Sequence, residues 1–248
     1  MNIKIIDNAV PLELRTQVWD YLLNQTWHIK YKQDSTIDSY VPSKDGIDMP
    51  NKNPVANGGT YMARTPLAKD VHYLKAQHKI LYNVWQKINA ALDNQYELTG
   101  SPEGMPLPSN FSHPKSVLPE STIGWRVYTN CQYQENIKHS HGIHRDNPDL
   151  KDSSAVTILY VANLEWYPSW FAECVYYSDS ETGDTQNFQS SDCAAQNRNF
   201  NLGWAQQIVS PVPGRIICYD SRTLHTTRPA AWWAPGPRVT IAFRARLK

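Results

Sequence analysis

The chain is poor in cysteine and has no long apolar run, no charge bias and no internal repeat or heptad array. Each absence removes a class of protein. Cys131, Cys174, Cys193 and Cys218 are too few and too scattered for a disulfide framework, and they form no C-x-x-C zinc knuckle. Reduced, cytosolic thiols are therefore expected. No stretch approaches the roughly 18 apolar residues of a spanning helix. The opening MNIKIIDNAVPLELR also lacks the basic region, apolar block and small-residue cleavage site of a secretory signal. These features predict a soluble, cytoplasmic protein with no membrane partner. A net charge of +1 gives no general electrostatic reason to bind nucleic acid, which needs concentrated Lys and Arg.

What is present points to a chain with a real core. With 248 residues, 41% of them hydrophobic, it is long enough to bury roughly 70 to 75% of its unfolded surface. One domain over 1–248 is expected, with helices and loops in 1–121 and a β-rich core in 122–248. Residues 3–6 read as a strand, and Pro11 as the entry to a helix whose face is Leu14, Val18 and Leu22. Leu67, Val71, Leu74, His78, Leu81, Trp85, Ile88 and Leu92 recur at alternating steps of four and three, a buried helical stripe of about seven turns. His78 lies on that stripe and reads as a packing residue.

Stretches 34–59 and 99–121 are polar or proline-rich and read as loops. Short β-type runs follow at 123–128, 155–161, 174–177, 207–209, 215–219 and 238–243, with Pro213-Gly214 and Pro235-Gly236-Pro237 as turns. Such a series predicts a sandwich or barrel. The aromatic load is 9 Trp, 14 Tyr and 5 Phe, with a cluster of Trp166, Tyr167, Trp170, Phe171, Tyr176, Tyr177, Trp232 and Trp233. A bulky core or brace explains the cluster more simply than a binding groove, and both readings stand.

Chemistry enters at His144-Arg145-Asp146, which sets an imidazole and a carboxylate on one face of an extended segment. Alone, such a pair is usually a solvated loop. His225, however, follows the strand at 215–219, where sheet closure can carry it back to the pair. Two imidazoles and one carboxylate make the facial set that holds Fe(II) with adjacent positions open. Arg238 then opens a largely apolar strand. A buried guanidinium asks for an anion, and its planar fork suits a carboxylate. With period two, Arg238, Thr240, Ala242 and Arg244 share one face of that strand, and Val239, Ile241 and Phe243 the other. The polar face either looks into a ligand cavity or is solvated, with Arg244 and Arg246 guarding an edge strand.

From about residue 125 to 247 the chain resembles the 2-oxoglutarate and Fe(II)-dependent dioxygenases, in particular the prolyl-4-hydroxylase-like branch of bacteria and viruses. The resemblance rests on the ordered landmarks Arg126 and Tyr128 in an Arg-x-Tyr strand, GIHRD, TILYVAN, EWYPSW, PGRIICYDSRTLHTTRP and PRVTIAFRA. IIDNAVPLELRTQVW is similar to that branch's opening strand and helix. The resemblance implies a mainly β fold with N-terminal helices, a distorted double-stranded β-helix (jelly roll) braced by helices. It implies His144, Asp146 and His225 as iron ligands, Arg238 as the partner of the distal carboxylate of 2-oxoglutarate, and Thr240 or Tyr128 as hydrogen-bonding to it. The implied reaction is hydroxylation of a C–H bond with O2, coupled to oxidative decarboxylation of 2-oxoglutarate to succinate and CO2, with ascorbate as reductant. The implied substrate is a peptide, a prolyl side chain first, or a small molecule. Both histidines must be neutral and Asp146 ionised for the metal to bind, so its affinity falls in acid.

The chain also departs from the family pattern. Phe171-Ala172-Glu173-Cys174 stands where relatives commonly carry Gly-Gly-Glu-Thr, which predicts a different wall on the substrate side. The stretch between Tyr128 and His144 is long, leaves Tyr133 as an alternative co-substrate contact, and carries His139 and His141, which read as surface histidines. The polar insert at 178–201 has no counterpart. Arg238 and Arg244 also show the Arg-x5-Arg spacing of the nucleic-acid-repair branch, so a nucleobase-oxidising dioxygenase is a second reading. A non-catalytic β-sandwich binding module is a third.

Overall fold

Side-chain alternation in the second half of the chain sorts apolar residues to two faces, and the strands pair accordingly. The structure, a computed structural model, describes residues 3–25, 28–32, 60–68, 70–98, 127–132, 145–147, 151–177 and 205–248. In chain order its elements are β1 (Ile3–Ile6), α1 (Leu12–Leu23), β2 (His28–Lys32), β3 (Thr60–Ala68), α2 (Val71–Gln77), α3 (Lys79–Ala91), β4 (Tyr96–Glu97), β5 (Val127–Gln132) and β6 (Ala155–Val161). A 3-10 turn (Pro168–Trp170) follows, then β7 (Cys174–Tyr177), β8 (Ala205–Val209), β9 (Ile216–Asp220), β10 (His225–Thr227) and β11 (Arg238–Leu247).

Among the described residues the large sheet runs β1-β9-β6-β11-β5-β3-β2, and β4 joins the end of β11 that β5 does not reach. A smaller sheet runs β10-β7-β8. All these pairs are antiparallel. The structure is thus mostly β with few helices.

The two faces of the large sheet have different tasks. Val239, Ile241, Phe243 and Ala245 of β11, with Ile158 and Tyr160 of β6 and Ile216 and Cys218 of β9, pack on the helices through Val18, Leu22, Leu74, Leu81, Trp85 and Ile88. Trp85 meets Phe243 at a ring-centroid distance of 5.5 Å. On the opposite face Tyr128, Leu159, Ile217, Tyr219 and Ala242 pack on Cys174 and Tyr176 of β7 and Val209 of β8. The small sheet therefore covers the face on which Arg238, Thr240 and Arg244 lie.

The single long helix expected from the stripe is two helices. Asp70 caps α2 by accepting from the Tyr73 N–H at 2.8 Å, and the chain turns at His78 (φ −134°, ψ 57°) before α3 begins. Leu67 belongs to β3 instead. His78 Nδ1 is hydrogen-bonded to the Tyr21 hydroxyl, which ties the joint to α1. Pro11 stands just before α1 rather than in its first turn. The Pro213-Gly214 turn forms as expected, with Gly214 at φ 78°, and a side chain there would press on Arg15.

The expected strands at 155–161 and 174–177 have those bounds, whereas the one expected at 123–128 is described as Val127–Gln132. Strand β11 runs four residues further than its apolar stretch. Cys131, Cys174 and Cys218 are buried. Cys193 and the 178–201 insert lie outside the described residues. No helix among the described residues is long and apolar enough to cross a membrane.

Candidate active site

Register places three polar side chains in one row across the covered face. Arg244 of β11 is opposite Thr157 of β6, and Thr157 is opposite Tyr219 of β9. All three reach Asp146, whose side chain is 8% exposed. Its Oδ2 accepts from Thr157 Oγ1 at 2.8 Å and from the Tyr219 hydroxyl at 2.9 Å, while Oδ1 is ion-paired with Arg244. Arg244 also donates Nη1 to Thr157 Oγ1 at 2.7 Å, and Nε and Nη2 to the Tyr128 hydroxyl at 3.0 and 2.7 Å. Ser221 Oγ lies 2.9 Å from Thr157 Oγ1 and completes the row.

Strand β10 brings His225 to the same place from the opposite sheet, paired with Tyr176 of β7. His225 Nδ1 donates to the Thr223 carbonyl at 2.9 Å, so a neutral ring carries its lone pair on Nε2. That nitrogen lies 3.7 Å from Asp146 Oδ2. The Tyr219 hydroxyl is 3.3 Å from Nε2, but its single proton is given to Asp146. The rings of Tyr219 and Tyr176 flank His225 at 5.0 and 6.0 Å.

Burial, then the charge of Asp146, pushes the Tyr219 phenol well above its ordinary value of 10.0, so it remains a donor. Tyr176 is raised in the same way, chiefly by burial. Burial alone would weaken the charge on Arg244, but Asp146 and Tyr128 outweigh it and hold the guanidinium above its usual value.

Toward the start of β11, Arg238 is 5% exposed. Its Nη1 donates to Gln132 Oε1 at 3.2 Å and its Nη2 lies 3.1 Å from Cys174 Sγ. Its Nε is buried with no partner among the described residues. Thr240, two residues on, is buried on the same face, at 2% exposure.

The chemistry of these donors suits a divalent transition metal. A neutral imidazole nitrogen and a carboxylate oxygen converge, each oriented by a further hydrogen bond, which is how such ligands are held. The described residues contain no group of three His, Cys, Asp or Glu side chains around one point. His144 lies outside the described residues, as do Arg126, Tyr133, His139 and His141.

No protein-family model matches the chain, and no curated protein matches it. Solved structures do. HygX from Streptomyces hygroscopicus, with nickel and 2-oxoglutarate bound, aligns over 99% of this chain and 83% of its own at 12% identity and a TM-score of 0.52. The chain shares the fold of HygX. A prolyl hydroxylase from Trichoplax adhaerens, in complex with a hypoxia-inducible-factor peptide fragment, aligns over 98% of this chain and 83% of its own at 15% identity and TM-score 0.46. A Pseudomonas putida prolyl-4-hydroxylase aligns over 99% and 92% at 11% identity and TM-score 0.44. At such identities the HygX likeness is one of fold, and the site rests on this chain's own residues.

One reading of β11 changes. It is a central strand between β5 and β6, so its arginines guard no edge. Arg244 is turned inward to Asp146, and Arg246 pairs with Asp152 at 2.8 Å. The Tyr128 hydroxyl accepts from Arg244, and the groups touching Arg238 among the described residues are Gln132 and Cys174. Sequence reasoning missed Thr157, Tyr219, Gln132 and Cys174. A signal existed for the first two: each is the hydrogen-bonding residue on an alternating strand face whose other members are apolar, and the two strands pair with each other.

Proposed function

We propose that the protein is an Fe(II)- and 2-oxoglutarate-dependent dioxygenase that hydroxylates a C–H bond of a peptide side chain or small molecule, releasing succinate and CO2. His144, Asp146 and His225 are the proposed iron ligands, and Arg238 is the proposed seat of the distal carboxylate of 2-oxoglutarate. One observation carries this reading. The adjacent His225 Nε2 and Asp146 Oδ2, 3.7 Å apart, lie between the sheets together with a buried guanidinium whose Nε has no partner among the described residues. The fold shared with HygX, whose structure holds nickel and 2-oxoglutarate, supports the same reading.

Bound iron supplies the activation of O2 that the chain's own side chains lack. The residues supply position and a dry cavity. Thr157, Tyr219 and Arg244 hold Asp146 in one orientation, and Thr223 holds the His225 ring in one tautomer. Arg238 offers a charge-assisted donor to a carboxylate in a place where water cannot compete. Thr240, on the same face, offers a hydroxyl to that carboxylate. Tyr176 and Tyr219 close the space around His225 with rings 5.0 Å apart, which keeps solvent from the metal-binding atoms.

Succinate formation from 2-oxoglutarate with Fe(II) and ascorbate tests the proposal. The wild type should turn over, and His144→Ala and Arg238→Ala should lose turnover while remaining folded. Equal succinate production by both variants would overturn the assignment.

A further inference from the structure

Outside the space between the sheets, one face of the molecule gathers exposed aromatic rings. Tyr167 is 55% exposed, Phe171 46%, Trp233 48% and Trp232 73%. The rings are connected. Trp170 meets Tyr167 at 4.7 Å and Trp166 at 5.4 Å, and Trp233 meets Phe171 at 5.8 Å and Trp232 at 5.6 Å. They are also fixed in place: Trp166 Nε1 donates to the Phe171 carbonyl at 3.0 Å, Trp233 Nε1 donates to the Ser169 carbonyl at 3.1 Å, and Phe171 bridges to Ala230. An exposed, braced aromatic surface of this kind marks an interaction site more often than a solvated loop.

Beside it is a cleft lined by Trp166, Pro168, Phe171, Pro211 and Val212, to which Ser210 adds a hydroxyl and Glu173 the charged group. Glu173 Oε2 is buried and has no hydrogen-bond partner among the described residues. An unmet carboxylate oxygen is costly and is retained only where something compensates it. A second oddity lies next to it. Phe171 has φ 56° and ψ −134°, and Ala172 has φ 67°, a left-handed backbone that glycine adopts without strain. The chain keeps a strained phenylalanine where glycine would relax, and that residue places a ring on the cleft.

We infer that this cleft binds a small organic ammonium ion. Ring faces attract a cation electrostatically, the prolines and Val212 receive its alkyl part, and Glu173 Oε2 accepts its N–H in a charge-assisted hydrogen bond. A neutral apolar guest leaves Oε2 still unmet, and an anion is repelled by it. Glu173 immediately precedes Cys174, whose sulfur touches Arg238, so alternation directs the two side chains to opposite faces. On that alternation the ammonium site is separate from the proposed iron site.

The test is a titration of the full chain, labelled with 15N at its indole nitrogens, with n-butylammonium chloride and separately with its neutral analogue n-butanol. The Trp166 indole signal, assigned from Trp166→Phe, should shift saturably with the ammonium and little with the alcohol. Glu173→Gln should weaken binding by about tenfold or more, because it removes one partner of the charge pair. Phe171→Gly should also weaken binding while raising the Tm, an effect that a purely structural role for the ring would not give. Equal response to n-butanol, undiminished binding by Glu173→Gln, or no shift at all would overturn the inference. None of these readouts depends on oxygenase turnover.

Discussion

At the residue scale the most consequential contact is the ion pair of Asp146 and Arg244, because it decides which way a nearly buried carboxylate faces. Removing one partner of such a pair leaves the other charged and unmet. Arg244→Met should therefore cost about 3 to 5 kcal/mol in urea denaturation. Arg244→Lys should recover only part of it, since a point charge cannot span Asp146, Tyr128 and Thr157 as the fork does. The sequence displayed Arg244 as a charge on a strand face and as one end of an Arg-x5-Arg spacing. Its role depends on register with β6 and β9, which no local spacing encodes.

At the element scale, the helix pair α2 and α3 braces the sheet from behind the site. Trp85 on α3 fills the space over Phe243 of β11, so Trp85→Ala should cost about 3 to 5 kcal/mol, read from the same denaturation curves. Legibility varied by element for physical reasons. Strands β6 and β7 were plain because both are short apolar runs bounded by turns. Strand β3 was not, because Pro66 stands near its end, where the pairing with β5 shifts register. The helical stripe was visible, but its break was not. The spacing runs unchanged through His78, and what interrupts the helix is a backbone turn joined to Tyr21 on another helix. His78→Ala should lower stability by about 1 kcal/mol, the usual net value of one hydrogen bond.

At the scale of the whole molecule, ion pairs tie the ends of the chain to the sheets. Asp7, after β1, pairs with Arg215 ahead of β9, and that hydrogen bond holds its carboxyl below the usual 3.8. Asp152 is lowered by Ser154 and then by Arg246, despite its burial. A lowered folded pKa gives stability that is complete above the unfolded value and is lost as pH falls through the folded one. Unfolding midpoints should thus drop as pH falls below about 3.8, and Asp152→Asn should flatten that limb.

The site itself was legible only as residue types along the chain, a His-x-Asp, a distant His and an Arg. The resemblance gave them roles, while the two sheets that face each other bring Asp146 and His225 together and bury Arg238. The most direct test of that arrangement is anaerobic calorimetric titration of the metal-free protein with Fe(II) and then 2-oxoglutarate. The account predicts a single tight metal ion per chain that His225→Ala and Asp146→Asn lose, and 2-oxoglutarate binding that Arg238→Met loses with the metal retained. Unchanged metal and 2-oxoglutarate affinities in all three variants would contradict it.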